Sequence, residues 1–117
     1  MLKLNDPKLH RHQCYINGVW IDADNRETIA IANPASGAGL GTIPKMGAAE
    51  TRRAIAAAHA AQPAWRARTA GERARVLRKW FELIMSNQED LALLMTSEQG
   101  KPLAEARGEI AYAASFI

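Results

Sequence analysis

A chain of 117 residues with 15 lysines and arginines against 12 aspartates and glutamates carries a formal net charge of +3, an excess too mild to mark a nucleic-acid-binding or membrane-surface protein. Hydrophobic residues make up 48% of it, but 23 residues are alanine, which favours helix and buries little surface, so the length supports one domain at most, with a thin core. The lone cysteine, Cys14, excludes an intrachain disulfide, and neither a signal-peptide run nor a membrane-spanning stretch of about 20 apolar residues is present, so a soluble cytoplasmic protein is expected.

Residues 1–12 read as a polar leader. Between 13 and 46 the chain turns β-branched and aromatic. Cys14-Tyr15-Ile16 and Val19-Trp20-Ile21 flank Asn17-Gly18, a strong short hairpin signal. Asp24-Asn25 forms a second turn, and Thr28-Ile29-Ala30-Ile31 a further strand, ended by Asn33-Pro34 because proline cannot donate to a ladder. Gly39-Leu40-Gly41-Thr42-Ile43, closed by Pro44, completes a predicted antiparallel meander.

From 47 to 117 the pattern is helical. The first helix follows Gly47 and Glu50 and is expected to stop near Gln62, before Pro63. Thr69-Ala70-Gly71-Glu72 is a capping box. The helix it opens aligns Ala74, Leu77, Phe81 and Ile84, with Trp80 beside them, and sets Arg75, Arg78, Lys79 and Glu82 on the other face. Ser86-Asn87-Gln88-Glu89 reads as a second capping box, opening a helix that points Leu91, Leu94 and Met95 inward and ends at Gly100. Pro102 starts the last helix, with Leu103, Ala106, Ile110, Ala113 and Ile117 on one face. That helix has no stop signal at Ser115-Phe116-Ile117, so the chain is expected to be a truncated part of a larger protein.

Few residues offer chemistry. Cys14 lies in a strand next to Tyr15 and Ile16 and reads as structural. His10, His12 and His59 lack the spacing of a zinc site, which needs three or four ligands. Arg66, Arg68, Arg73, Arg75 and Arg78 form either a solvated face, with Arg78 paired to Glu82, or a weak anion site. No Gly-x-Gly-x-x-Gly or Walker sequence occurs, so no dinucleotide or phosphate cradle is recognisable.

Taken together and in order, Ile16-Asn17-Gly18-Val19-Trp20, Asn33-Pro34-Ala35-Ser36-Gly37, Ala64-Trp65-Arg66 leading into the stretch around Arg73, and Glu98-Gln99-Gly100-Lys101-Pro102 resemble the N-terminal portion of the aldehyde dehydrogenase superfamily. The likeness is closest to bacterial succinate-semialdehyde dehydrogenases and runs from about Leu4 to Ile117. The resemblance implies an α/β parent fold, of which this chain forms a short antiparallel β meander followed by four or five α-helices. Residues 47–117 would belong to the helical part of the N-terminal cofactor-binding domain.

It implies NAD(P)-dependent oxidation of a small aldehyde, succinate semialdehyde or its glutarate homologue, by a homo-oligomeric parent with no nucleic-acid or membrane partner. The family's cysteine nucleophile, glutamate base, oxyanion asparagine and cofactor-binding units match none of these residues, so the chain alone is expected to bind neither NAD nor NADP and to be inactive.

By the same resemblance, Glu98 and the backbone carbonyl of Ala32 contribute to a monovalent cation site. The alternative is that Glu98 ends its helix and pairs with Lys101. Tyr112 and Phe116, one turn apart, would face the aldehyde entrance tunnel; the alternative is that both are core aromatics. Beside the dehydrogenase reading stand two others, a stand-alone helical interaction module whose apolar faces bind a partner protein, and a weak anion or nucleic-acid binder using the arginine face.

Overall fold

Residues 2–117 are described by a computed structural model of the chain; Met1, the first residue of the predicted leader, lies outside the described residues. The strands are β1 (Cys14–Ile16), β2 (Val19–Ile21), β3 (Thr28–Ala32) and β4 (Gly39–Pro44), and the helices are α1 (Ala48–Ala67), α2 (Ala70–Ser86), α3 (Gln88–Gln99) and α4 (Leu103–Ala114), preceded by a 3-10 turn at Pro7–Leu9. The chain divides into two compact units, one of residues 1–11, 32–40 and 70–117, the other of residues 12–31 and 41–69.

The strands form two separate two-stranded ribbons, β1–β2 and β3–β4, rather than one continuous meander. The first hairpin closes where its sequence demands. Asn17 and Gly18 adopt left-handed φ of 51° and 83°, as a tight two-residue turn requires, and the register sets Tyr15 opposite Trp20 with ring centroids 5.1 Å apart. The Asp24-Asn25 turn does not fold β3 back onto β2, because it is tied to α1. Glu50 accepts the Asp24 backbone N–H at 3.1 Å, and Arg53 donates to both Asp24 carboxylate oxygens at 2.8 and 2.7 Å. In the second ribbon, Asn33 closes the turn: its N–H donates to the Ala38 carbonyl, and its side-chain oxygen accepts the N–H groups of Ala35 and Ser36.

Helix α1 runs through Pro63 to Ala67 instead of stopping before the proline. The ring removes a single N–H donor, while the alanines on either side, Ala60, Ala61 and Ala64, keep the helical conformation favourable. At the other end Glu50 accepts the Gly47 N–H at 3.0 Å. Helix α2 begins at Ala70, directly after Thr69 as predicted. Leu77, Phe81 and Ile84 on it are half-buried, and Arg78 both pairs with Glu82 at 3.1 Å and lies over the Phe81 ring.

The predicted box at Ser86 does not open α3. The Ser86 hydroxyl and the Asn87 amide both donate to the Leu83 carbonyl, closing α2, and Glu89 turns away to Arg107, which donates to both its carboxylate oxygens. Helices α3 and α4 pack against each other, and Ala92, Ala106 and Ala114 on them are completely buried. Gln88 fastens the pair by donating to the Arg107 carbonyl at 2.9 Å. Ala114, not Ala113, faces inward on α4. Among the described residues no large side chain is fully buried, which is the thin core that the alanine content predicts.

Asp24, Glu50, Glu89 and Asp90 are each held below the ordinary carboxylate range, by Arg53, by the Asp24 N–H, by Arg107 and by the Asp6 N–H respectively. Because their folded-state values are depressed, their stabilisation is present above the ordinary carboxylate pKa and lost as pH falls through the lowered values. The urea midpoint of the protein is expected to be flat above about pH 5 and to fall steadily toward about pH 2. A midpoint unchanged down to about pH 3 would remove these contacts from the account.

Candidate functional site

Helix α3 ends at Gly100, whose φ of 77° is left-handed and whose N–H donates to the Thr96 carbonyl. A Cβ at Gly100 would lie 3.2 Å from Pro34 Cγ. The Asn33-Pro34 turn that follows Ala32 therefore abuts the end of α3, two residues beyond Glu98. This brings together the two segments carrying the predicted cation ligands, the exposed carboxylate of Glu98 and the exposed end of β3 at Ala32. Lys101 does not pair with Glu98. Its ammonium reaches Glu109 at 2.7 Å, and hydrogen bonding to Glu109, with the charges of Glu109 and Glu105, raises its pKa above the usual lysine value.

One turn before Gly100, the Thr96 hydroxyl oxygen is buried with no hydrogen-bond partner.

On α4, Tyr112 and Phe116 meet edge to face with centroids 4.8 Å apart. Within these residues they are 64% and 73% exposed. Tyr112 stands at the rim of an open groove lined by Lys101, Glu105, Gly108 and Glu109. Its charged lining is one ammonium, of Lys101, and two carboxylates, of Glu105 and Glu109.

Cys14 is half-buried in β1 opposite Ile21. His12 has Nδ1 3.2 Å from the Thr42 carbonyl oxygen, and its ring lies against Gly41, where a Cβ would collide with it. Among the described residues no three His, Cys, Asp or Glu side chains gather as metal ligands. Of the arginines, Arg68 lies over the Trp65 ring and Arg78 pairs with Glu82. No described helix is long and apolar enough to cross a membrane.

Sequence reasoning missed Asp90, a buried carboxylate that accepts hydrogen bonds from the N-terminal segment. Nothing local marks it, since its partners lie 84 and 85 residues away.

The sequence model of the aldehyde dehydrogenase family matches residues 20–117. A glutarate-semialdehyde dehydrogenase of Pseudomonas putida is 67% identical over 116 residues, 99% of this chain and 24% of that protein. An NADP(+) succinate-semialdehyde dehydrogenase of Escherichia coli is 66% identical over the same coverage. A crystal structure of an Escherichia coli NADP-dependent enzyme superposes with a TM-score of 0.95 at 66% identity, over 97% of this chain and 24% of that one. The chain thus spans about a quarter of the length of these relatives.

Proposed function

Because the chain belongs to the aldehyde dehydrogenase family, we propose that the full-length protein oxidises a semialdehyde acid, succinate or glutarate semialdehyde, with NADP or NAD as the hydride acceptor. The observation that carries this reading is the identity of 66% and 67% to two semialdehyde dehydrogenases over 99% of the chain.

Within that enzyme these residues supply framework. Their alanine-packed helix pair and two ribbons belong to the N-terminal part of the cofactor-binding domain, whereas the nucleophile and base lie elsewhere in the polypeptide. Residues 1–117 contain no glycine-rich phosphate loop, so they do not fit a dinucleotide pyrophosphate. A homo-oligomeric cytoplasmic enzyme is the setting that the reading implies.

Two groups of residues go beyond framework. Tyr112 and Phe116 line the path of the aldehyde; their exposure and mutual edge contact on α4 support this. Glu98 and the Ala32 carbonyl serve a monovalent cation. Both are hard oxygen donors suited to such an ion, and the Pro34–Gly100 contact supports their being neighbours. Glu98→Gln is then expected to cost more stability in potassium or sodium chloride than in the salt of a bulky organic cation. Equal losses in all salts, read as thermal midpoints, would leave Glu98 a plain helix-end residue.

The functional reading as a whole is tested by following the absorbance of the reduced nicotinamide with purified full-length protein. Succinate and glutarate semialdehyde are expected to exceed acetaldehyde in kcat/KM by about 10,000-fold, the scale on which a site built to hydrogen-bond a substrate group rejects an analogue lacking it. No reduction with either semialdehyde would overturn it.

A further inference from the structure

The N-terminal segment, which reads in the sequence as a polar leader, is fastened to one carboxylate. Asp90 lies in the first turn of α3 and is only 5% exposed. Its Oδ1 accepts the backbone N–H and the side-chain amide of Asn5, both at 3.0 Å, and its Oδ2 accepts the backbone N–H of Asp6 at 2.8 Å. The bonding continues along the segment. Asp6 Oδ1 accepts the Lys8 N–H, the Asp6 carbonyl accepts the Leu9 N–H, and the Pro7 carbonyl accepts the His10 N–H. Residues 5–10 are therefore one hydrogen-bonded piece, with Leu4 and Leu9 half-buried.

The chemistry at the attachment is one-sided. The donors converge on Asp90, and an ionised carboxylate accepts all of them because it has two oxygens with four lone pairs and no proton to place. The start of α3 makes no competing use of it, since Asn87 provides no side-chain cap and Glu89 is held by Arg107. Both the burial and the convergence of donors single out Asp90 as the fastening.

We propose that Asp90 is a latch, and that residues 5–10 form a strap which docks and releases as a unit under the control of this carboxylate while the α3–α4 pair stays folded. Asp90→Asn removes one acceptor and turns an N–H toward N–H groups, so release is the expected outcome.

Hydrogen–deuterium exchange with mass spectrometry on the full-length protein tests this. In Asp90→Asn, exchange in the peptide spanning Leu4–His10 is expected to accelerate about tenfold or more, while a peptide within Leu103–Ala114 keeps its protection. Asn5→Ala alters an exposed residue and leaves α3 untouched; it is expected to speed the same N-terminal peptide by a smaller factor. Should Asp90→Asn fail to fold, Asn5→Ala decides alone. Wild-type protection of the N-terminal peptide in a folded Asp90→Asn or in Asn5→Ala, or equal loss of protection in the α4 peptide, would overturn the latch.

Discussion

Replacing Ala106 by leucine is expected to destabilise the protein by about 1–3 kcal/mol, the usual cost of forcing extra methylenes into a well-packed site. Ala106 is completely buried on α4, as is Ala92 on α3, and the two helices are further pinned by Gln88 on the Arg107 carbonyl and by Arg107 on Glu89. An isobutyl group there has to push the helices apart or strain its own rotamer, and either response loosens those polar contacts. Denaturant unfolding of the full-length protein measures the loss. At the exposed Ala104 on the same helix, the same change is expected to fall within about 0.5 kcal/mol of neutral. If the two variants unfold alike, the α3–α4 pair is not the close-packed element described.

Gly100→Val is expected to cost a similar amount, and for two separable reasons. A β-branched residue at φ 77° is a backbone outlier, and such strain costs about 1–3 kcal/mol. The added Cβ also meets Pro34 Cγ at 3.2 Å, so the Asn33-Pro34 turn has to yield. Gly100→Ala carries much of the strain with less bulk. The difference between the two variants therefore reads the turn contact. Displacing that turn moves the Ala32 carbonyl relative to Glu98, so any stabilisation by potassium or sodium is expected to shrink in Gly100→Val along with the unfolding midpoint. A valine variant as stable as the parent would mean that the turn does not rest on the end of α3.

What the sequence reveals of this fold is what short-range chemistry decides. Asn17-Gly18 and Gly100 need left-handed backbone, and both are where the sequence puts them. Thr69 precedes the helix it is expected to open. Asp24 and Asp90 look like ordinary turn and helix-start acids, yet their partners are Arg53 and the amides of Asn5 and Asp6, too distant for any local pattern to reveal. For that reason the single meander became two ribbons and the leader became a strap.

Other misreadings have smaller causes. Ala113 and Ala114 are identical in sequence, so nothing marks which one faces inward. Ser86 and Asn87 fit an opening cap, but the Leu83 carbonyl lies within reach of both and takes them as a closing one. Lys101 has Glu98 nearby in sequence and Glu109 across the start of α4, and geometry favours the second. Of the candidate site, Ala32 and Glu98 come from the family resemblance alone, whereas the contact between Tyr112 and Phe116 follows from helical spacing. The exposure of that aromatic pair does not, because the spacing fits a buried face equally well.

The central claim, that these residues serve as framework and leave the nucleophile to another part of the polypeptide, is tested most directly at Cys14, the only thiol here. The measurement is nicotinamide reduction by the full-length protein with succinate or glutarate semialdehyde, comparing the parent with Cys14→Ala. The expected result is a kcat within about twofold of the parent, because Cys14 is half-buried opposite Ile21 and the neighbouring His12 ring is engaged by the Thr42 carbonyl. A fall of about 1,000-fold or more, the scale expected when a covalent nucleophile is removed, would contradict it.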